Sequence, residues 1–211
     1  MRLSNKILLA TRNREKFEEF QTLFSAFPDV ELAMADSIVR NTQGLEFAER
    51  HETYLENAIA KARLINLASH YPTLGDDSGL EVAGLGGRPG VRSHRYATPK
   101  AGIPQDIANN ELLLRELAAK PGTRDAKFVC TLVVVIEGIL LHANGILEGT
   151  IGESPRGTNG FGYDSLFIPK GQGKTFAEMT SDEKNAISHR AKALNQIMSQ
   201  VRSHGIIFAK P

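Results

Sequence analysis

Apolar positions along the chain change their period several times, and each change marks a predicted element. KILLAT is a short apolar run that reads as a strand; the polar TRNREK follows and opens into FEEFQTLFSAF, where Phe17, Phe20, Leu23 and Phe24 recur at helical spacing. A second helix is predicted over about 53–70. There Thr53-Tyr-Leu-Glu56 fits a capping box and Leu55, Ile59, Ala62 and Ile65 form one apolar stripe. The glycine-rich GLGGRPGVRSHRYA matches neither period and reads as a loop. Residues 107–119 return to helical spacing, and 127–136 with 139–147 read as a hairpin turning at Glu137-Gly138. PRGTNGFGYD is a second glycine-rich loop before the strand SLFIP. A second capping box, Thr180-Ser-Asp-Glu183, then opens a stretch striped by Ile187, Ala191, Leu194, Met198 and Val201. Strand-like and helix-like stretches alternate without repeats, which argues for a mixed α/β fold.

Composition narrows what such a fold can do. The chain has 211 residues, 41% of them hydrophobic, enough to bury the core of one domain or of two lobes sharing a sheet. Its 25 basic and 24 acidic residues leave a formal charge of +1, so no global field recruits nucleic acid or an anionic membrane. An anionic ligand must then be held by a local cluster. Cys130, the only cysteine, lies in the apolar run FVCTLVVVI; there is no intramolecular disulfide and no cysteine metal site, and the thiol reads as structural. The N-terminal MRLSNKILLATRNREK lacks the long apolar region of a secretory signal. No run approaches the roughly 20 apolar residues that span a bilayer, so a soluble, cytoplasmic protein is expected.

Four stretches concentrate polar chemistry. In GDDSGLEV, Asp76 and Asp77 stand side by side between apolar runs; such a pair repels unless positive charge lies near, while a surface turn is the other reading. TRNREK follows a strand and opens a helix, so backbone N–H groups there, with Thr11, Asn13 and Lys16, suit a phosphate, although a plain helix cap has the same pattern. Lys61 lies one turn from Asn57 at the border of the apolar stripe, where lysines commonly snorkel to solvent. Finally, EKNAISHRAKAL gathers Lys184, His189 and Arg190, either around an anion or along a solvated face. Successive residues of one helix diverge by roughly 100°, so a common target requires a break near Ser188, with a second helix beginning at His189.

Taken in order, LLATRNREKFEEF, TYLENAIAKAR, GDDSGLEVAGLGGRPGVRSHRYA, FVCTLVVV, PRGTNGFGYDSLF and GKTFAEMTSDEKNAISHRAKAL closely resemble the inosine triphosphate pyrophosphatase family, which acts on non-standard purine nucleoside triphosphates. The resemblance covers nearly the whole chain. It implies a mixed α/β (α+β) fold with a long central mixed sheet flanked by helices, a single domain of two lobes around a substrate cleft, and a homodimer. It also implies Mg2+-dependent hydrolysis of ITP, dITP and XTP, small-molecule substrates, to monophosphate and pyrophosphate. Carried over residue by residue, Thr11, Arg12, Asn13, Arg14, Glu15 and Lys16 match the phosphate loop, and Lys61 a lysine reaching the phosphates. Asp77 matches the catalytic base and metal ligand, with Asp76 in support; the pair would tolerate its own repulsion because the magnesium triphosphate supplies counter-charge. Ser78, Lys184, His189 and Arg190 match substrate contacts, and Phe161, Gly162, Tyr163 and Asp164 match the loop that holds the base. One position departs: where many members carry adjacent glutamates, this chain has Ala48-Glu49, so Glu49 is expected as the second metal carboxylate, with Glu52 and Glu56 as alternatives. Two other functions fit parts of the sequence. One is a purine nucleotide sensor without turnover, favoured by Ala48. The other is a nucleic-acid binder using RPGVRSHR, which the near-neutral charge disfavours.

Overall fold

The computed structural model describes residues 2–3, 5–40, 42, 44–99, 101–119 and 122–208. In chain order the elements are β1 (Arg2–Leu3), β2 (Lys6–Leu9), α1 (Arg14–Phe24), β3 (Glu31–Met34), α2 (Gly44–Phe47), α3 (Tyr54–Ser69), β4 (Thr73–Val82), α4 (Gln105–Ala119), β5 (Asp125–Ile136), β6 (Ile139–Ile151), β7 (Phe167–Pro169), α5 (Ser181–Ile187), α6 (His189–Ser203) and β8 (Ile207–Phe208). The main sheet has the order β3-β2-β4-β5-β6-β7, and β1 pairs with β8 separately. β2 runs parallel to β3 and β4, whereas β6 and β7 are antiparallel, so the sheet is mixed as expected. The expected hairpin is present between β5 and β6. Its two turn residues, Glu137 and Gly138, both have positive φ (45° and 83°), the conformation whose twist matches a two-residue hairpin.

The chain forms two compact units: Met1–Asp77 with Cys130–Gly145 and Arg190–Pro211, and Ser78–Val129 with Ile146–His189. In the first unit the strand period of two assigns neighbouring residues to different clusters. Ile7, Leu9, Leu74, Cys130, Leu132 and Val134 pack with Phe20 and Phe24 of α1 and with Leu194, Ile197 and Val201 of α6. Leu8 and Ala10 pack with Ile65 of α3, and Val133 and Val135 with Ala58 and Ala62 of the same helix. KILLA is apolar without alternation because both of its faces are covered. Gly75 lies on the α3 side, where a Cβ would overlap the Ala58 carbonyl oxygen, so the missing side chain lets α3 lie directly on β4.

The second unit gathers Leu80, Val82, Phe128, Leu147, Ile151, Tyr163, Phe167 and Phe176 against Leu113 and Leu117 of α4. Phe128, Phe167 and Phe176 form an aromatic group with ring centroids 4.5–5.9 Å apart.

The helix ends follow the sequence closely. The Thr180–Glu183 capping box forms in full, and the break at Ser188 is present: Ser188 is extended (φ −62°, ψ 153°) between α5 and α6. The Thr53 box forms by half. Thr53 accepts the Glu56 N–H, but the Glu56 carboxylate takes the Thr53 hydroxyl proton at 2.8 Å instead of reaching the cap's backbone. The surface-turn reading of GDDSG fails, because these residues lie inside β4 with Asp76 and Asp77 both buried. Strand β3, invisible to the periodicity argument, is short and pairs in register with β2, Lys6 opposite Glu31.

Candidate active site

Two consecutive residues of β4 have separate surroundings. A strand aims successive side chains to opposite faces. Asp76 follows the Leu74 side and meets Lys16 at 2.6 Å, while its other oxygen accepts the Cys130 thiol proton at 3.3 Å. Asp77 follows the Gly75 side and meets α3: Lys61 Nζ donates to Oδ1 at 3.0 Å and Asn57 Nδ2 to Oδ2 at 3.0 Å. The protein itself therefore supplies a cation to each carboxylate. This corrects the expectation that bound substrate and metal must hold the pair together.

Lys61 is 3% exposed, which replaces the snorkelling reading with a buried charge. Asn57 and Lys61 are four residues apart and so share one helical face; both turn inward because both serve Asp77. Lys61 also donates to Glu49 at 3.0 Å, so one ammonium bridges the two carboxylates expected to carry the metal. Burial alone would lower the Lys61 pKa, but Asp77, Glu49 and Asp76 outweigh it and hold the ammonium form.

The two aspartates are driven apart. Burial pushes the Asp77 carboxyl up, and Lys61, Lys16 and the Asn57 hydrogen bond offset this only in part. Burial acts on Asp76 in the same sense, yet Lys16, Arg190 and Lys61 outweigh it and hold that carboxyl well below its ordinary range. Neighbouring groups with opposite shifts are how one site keeps a permanent anion beside a proton acceptor.

The phosphate-loop residues sit at the end of β2 and the start of α1. Asn13 caps the helix by accepting the Lys16 N–H at 2.8 Å, and Thr11 Oγ1 accepts the Asn13 N–H at 3.1 Å. Lys16 is thereby turned back toward β4, whereas Arg12, Arg14 and Glu15 are exposed around the helix end. Arg190, at the start of α6, is buried and pairs with Glu19 of α1 at 3.0 Å. The break at Ser188 lets His189 take a different direction: its ring stacks on Phe128 at 4.7 Å within the second unit. Lys184, His189 and Arg190 are all buried, so the solvated-face reading of this stretch fails.

In the second unit, Phe161, Gly162, Tyr163 and Asp164 form a tight loop. Asp164 accepts the Phe161 N–H at 3.0 Å and the Lys184 ammonium at 2.6 Å; the same ammonium lies 5.1 Å from the Phe161 ring centre. The Tyr163 hydroxyl donates to the Ser93 carbonyl at 2.8 Å, tying this loop to the other glycine-rich segment. Ser78, half-buried, follows Asp77 in β4.

The structure thus groups Lys16, Asp76, Asp77, Lys61, Glu49 and Arg190 in one unit, and Phe161, Gly162, Tyr163, Asp164, Lys184 and His189 in the other. Of the alternatives to Glu49, Glu56 is turned to Thr53 and Glu52 is exposed. Sequence reasoning missed Asn57, which doubles as an anchor: its Oδ1 accepts the His51 N–H at 2.9 Å, pinning the segment that carries Glu49. A polar residue one turn before a lysine on an apolar face is the signal that could have found it. Glu19 left no comparable signal. Among the described residues no three His, Cys, Asp or Glu side chains form a complete metal cage. One or two carboxylates completed by phosphate oxygens and water is what magnesium takes, so the hard oxygens of Asp77 and Glu49 fit it.

The chain is similar to known proteins over most of its length. The Ham1 family model matches residues 7–200. A dITP/XTP pyrophosphatase of Bordetella parapertussis is 41% identical over 208 residues, covering 95% of this chain and 92% of the relative. One from Geobacillus kaustophilus is 42% identical over 200 residues, covering 92% and 93%. The solved structure of a HAM1 protein from Coxiella burnetii superposes with a TM-score of 0.78 at 36% identity, covering 94% of this chain and 98% of that one. The Staphylococcus aureus Ham1 protein gives 0.78 at 31% identity, covering 94% and 99%. With the same fold and a matching sequence over nearly its whole length, the chain belongs to the Ham1 family.

Proposed function

We propose that the protein hydrolyses purine nucleoside triphosphates of the ITP, dITP and XTP class to the monophosphate and pyrophosphate. The observation that carries this reading is the split pair on β4, with Asp77 raised and Asp76 lowered in proton affinity, each set against its own lysine. The names of the relatives, dITP/XTP pyrophosphatases, support the substrate class.

In this reading Asp77 is the general base. It accepts the proton from the water that attacks the α-phosphorus as pyrophosphate leaves. Asn57 and Lys61 hold the carboxylate by both oxygens, so it reaches the water in a fixed orientation. Lys16, at the α1 N-terminus with Thr11, Arg12, Asn13, Arg14 and Glu15 around it, takes the triphosphate. Arg190 contributes its substrate contact in the same charged region, and Asp76, expected among the metal carboxylates, positions Lys16 instead. Asp77 and Glu49 would hold Mg2+, which when bound neutralises charge developing on the phosphoryl oxygens. The loop of Phe161, Gly162, Tyr163 and Asp164 takes the purine, with Ser78, Lys184 and His189 contributing. No nucleic acid or membrane is needed; no helix of the described residues is long and apolar enough to cross a bilayer. A cytoplasmic homodimer completes the proposal. Leu67, 74% exposed on α3, offers apolar surface for a second copy.

The test is a panel of ITP, dITP, XTP, ATP and GTP with Mg2+, read as pyrophosphate released. Fast release from the first three is expected. Binding without release would favour the sensor, and equal rates on ATP would remove the substrate class. Sedimentation of the purified chain decides the dimer.

A further inference from the structure

The polar face of α4 does something its helix does not require. Gln105, Asp106, Asn109 and Asn110 lie on neighbouring turns and share one side, since residues four apart on a helix meet. Asn109 and Asn110 are 2% and 8% exposed. Asparagine is a weak helix former, and burying it in mid-helix lowers stability unless its amide is used. The contacts of this face go to backbone or stay within the face, and part of that backbone is a short 3-10 helix, Gly90–Arg95, inside the glycine-rich stretch expected to be loop throughout. Asn109 accepts the Ala97 N–H and donates to the Ser93 and His94 carbonyls; Gln105 donates to the Ala97 carbonyl and to Asn109. Asp106 Oδ2 accepts the Gly162 N–H at 2.6 Å, and Asn110 Nδ2 donates to the Gly162 carbonyl at 3.0 Å.

Gly162 is therefore gripped at both of its peptide groups. Its φ of +64° belongs to the left-handed region, where a residue without Cβ is freest to move. Each peptide is planar and trans, so a direction imposed on one of its polar groups fixes the other. By holding the Gly162 carbonyl, Asn110 sets the direction of the Tyr163 N–H, and by holding the Gly162 N–H, Asp106 acts together with the Asp164 N–H, 3.2 Å from the Phe161 carbonyl, to set that carbonyl's direction. The amide of Asn110 cannot be reversed, because a carbonyl accepts only. Its own Oδ1 is buried and has no hydrogen-bond partner among the described residues, which makes asparagine a poor choice there for stability alone.

We propose that Asp106 and Asn110 are specificity-determining positioning residues: by clamping Gly162 they aim the backbone donors and acceptors that distinguish a 6-oxo purine from a 6-amino purine. This rests on the reading above that the Gly162 loop takes the base. A rigid donor rejects a donor on the ligand because neither can be paired.

The experiment measures dissociation constants for IMP and AMP by calorimetry without metal, alongside kcat/KM for ITP and ATP with Mg2+. Asp106→Ala and Asn110→Asp each narrow the IMP:AMP ratio by about tenfold, the scale of one hydrogen bond involving a charged group. Asp106→Asn keeps an acceptor for the Gly162 N–H and restores the ratio to within about threefold of wild type. Unchanged ratios in folded Asp106→Ala and Asn110→Asp overturn the clamp, as does loss in Asp106→Asn equal to that in Asp106→Ala. A wild-type protein that binds IMP and AMP equally also overturns it. A wild type that hydrolyses none of the triphosphates defeats the functional reading instead, while the metal-free binding ratios still decide the clamp.

Discussion

The two groups of candidate residues hold their parts by different physics. Around β4 the first unit buries charge: Lys16 with Asp76, Lys61 with Asp77 and Glu49, Arg190 with Glu19. Around Gly162 the second unit buries one ion pair, Lys184 with Asp164, but otherwise holds backbone, through the amides of Asn109 and Asn110, the Tyr163 hydroxyl and the carboxylates of Asp106 and Asp164. A charge acts over distance and in every direction, so a charged group serves a triphosphate whatever base it carries. A peptide dipole acts at hydrogen-bond range and only along its own axis, so it must be aimed. Turnover and selectivity should therefore separate on mutation: changes near β4 move all nucleotides together, and changes near Gly162 move their ratio.

The hardest test of that separation is Asp77→Asn. It keeps the shape but cannot accept a proton, and should lower kcat by about 10²–10⁴-fold for every nucleotide hydrolysed, with unchanged circular dichroism. A loss confined to one base would merge the two regions. Next is Lys61→Met, which leaves Asp77 and Glu49 without their shared cation. It should cost about 3 kcal/mol in urea unfolding at neutral pH, and less at acid pH where both carboxylates are protonated. Lys16→Ala should slow ITP and XTP by similar factors, roughly tenfold or more, because both present the same triphosphate; steady-state rates on both substrates check this.

A finer test uses the metal-free protein. Carbon NMR titration should place Asp77 above the ordinary aspartate value of about 3.9 and Asp76 below it. The signs for stability are opposite. The contribution of Asp76 is fully present above its unfolded pKa and is lost as pH falls through its lowered folded value. Asp77 opposes folding increasingly as pH rises from about 3.9 through its raised value. Added Mg2+ should lower Asp77 more than Asp76, since a dication favours the ionised form of its own ligand; equal movement would place the ion on both. The smallest effect is expected for Cys130→Ala, which removes a weak thiol donor from Asp76 and should cost about 1 kcal/mol without altering any nucleotide ratio.

What the sequence determined by itself is local. The apolar period marked α1, α3, α4 and α6, the Thr180 box placed the start of α5, and Glu137-Gly138 fixed the hairpin. A common target for the polar side chains of 188–190 called for a break at Ser188, because successive residues of one helix diverge; the break is present, although His189 turns to Phe128 and Arg190 to Glu19. These features follow from contacts within a turn or two of chain, which a short stretch of sequence contains in full. The partners of the site residues were decided only by the tertiary structure. Asp76 and Asp77 read as a repelling pair until the pleat of β4 sent one to Lys16 and the other to α3. Arg190 finds Glu19 across 171 positions, and Gly162 finds Asp106 across 56. Periodicity states which side of an element is buried and not what is buried against it; an ion pair or hydrogen bond depends on distance in space, which separation along the chain does not encode.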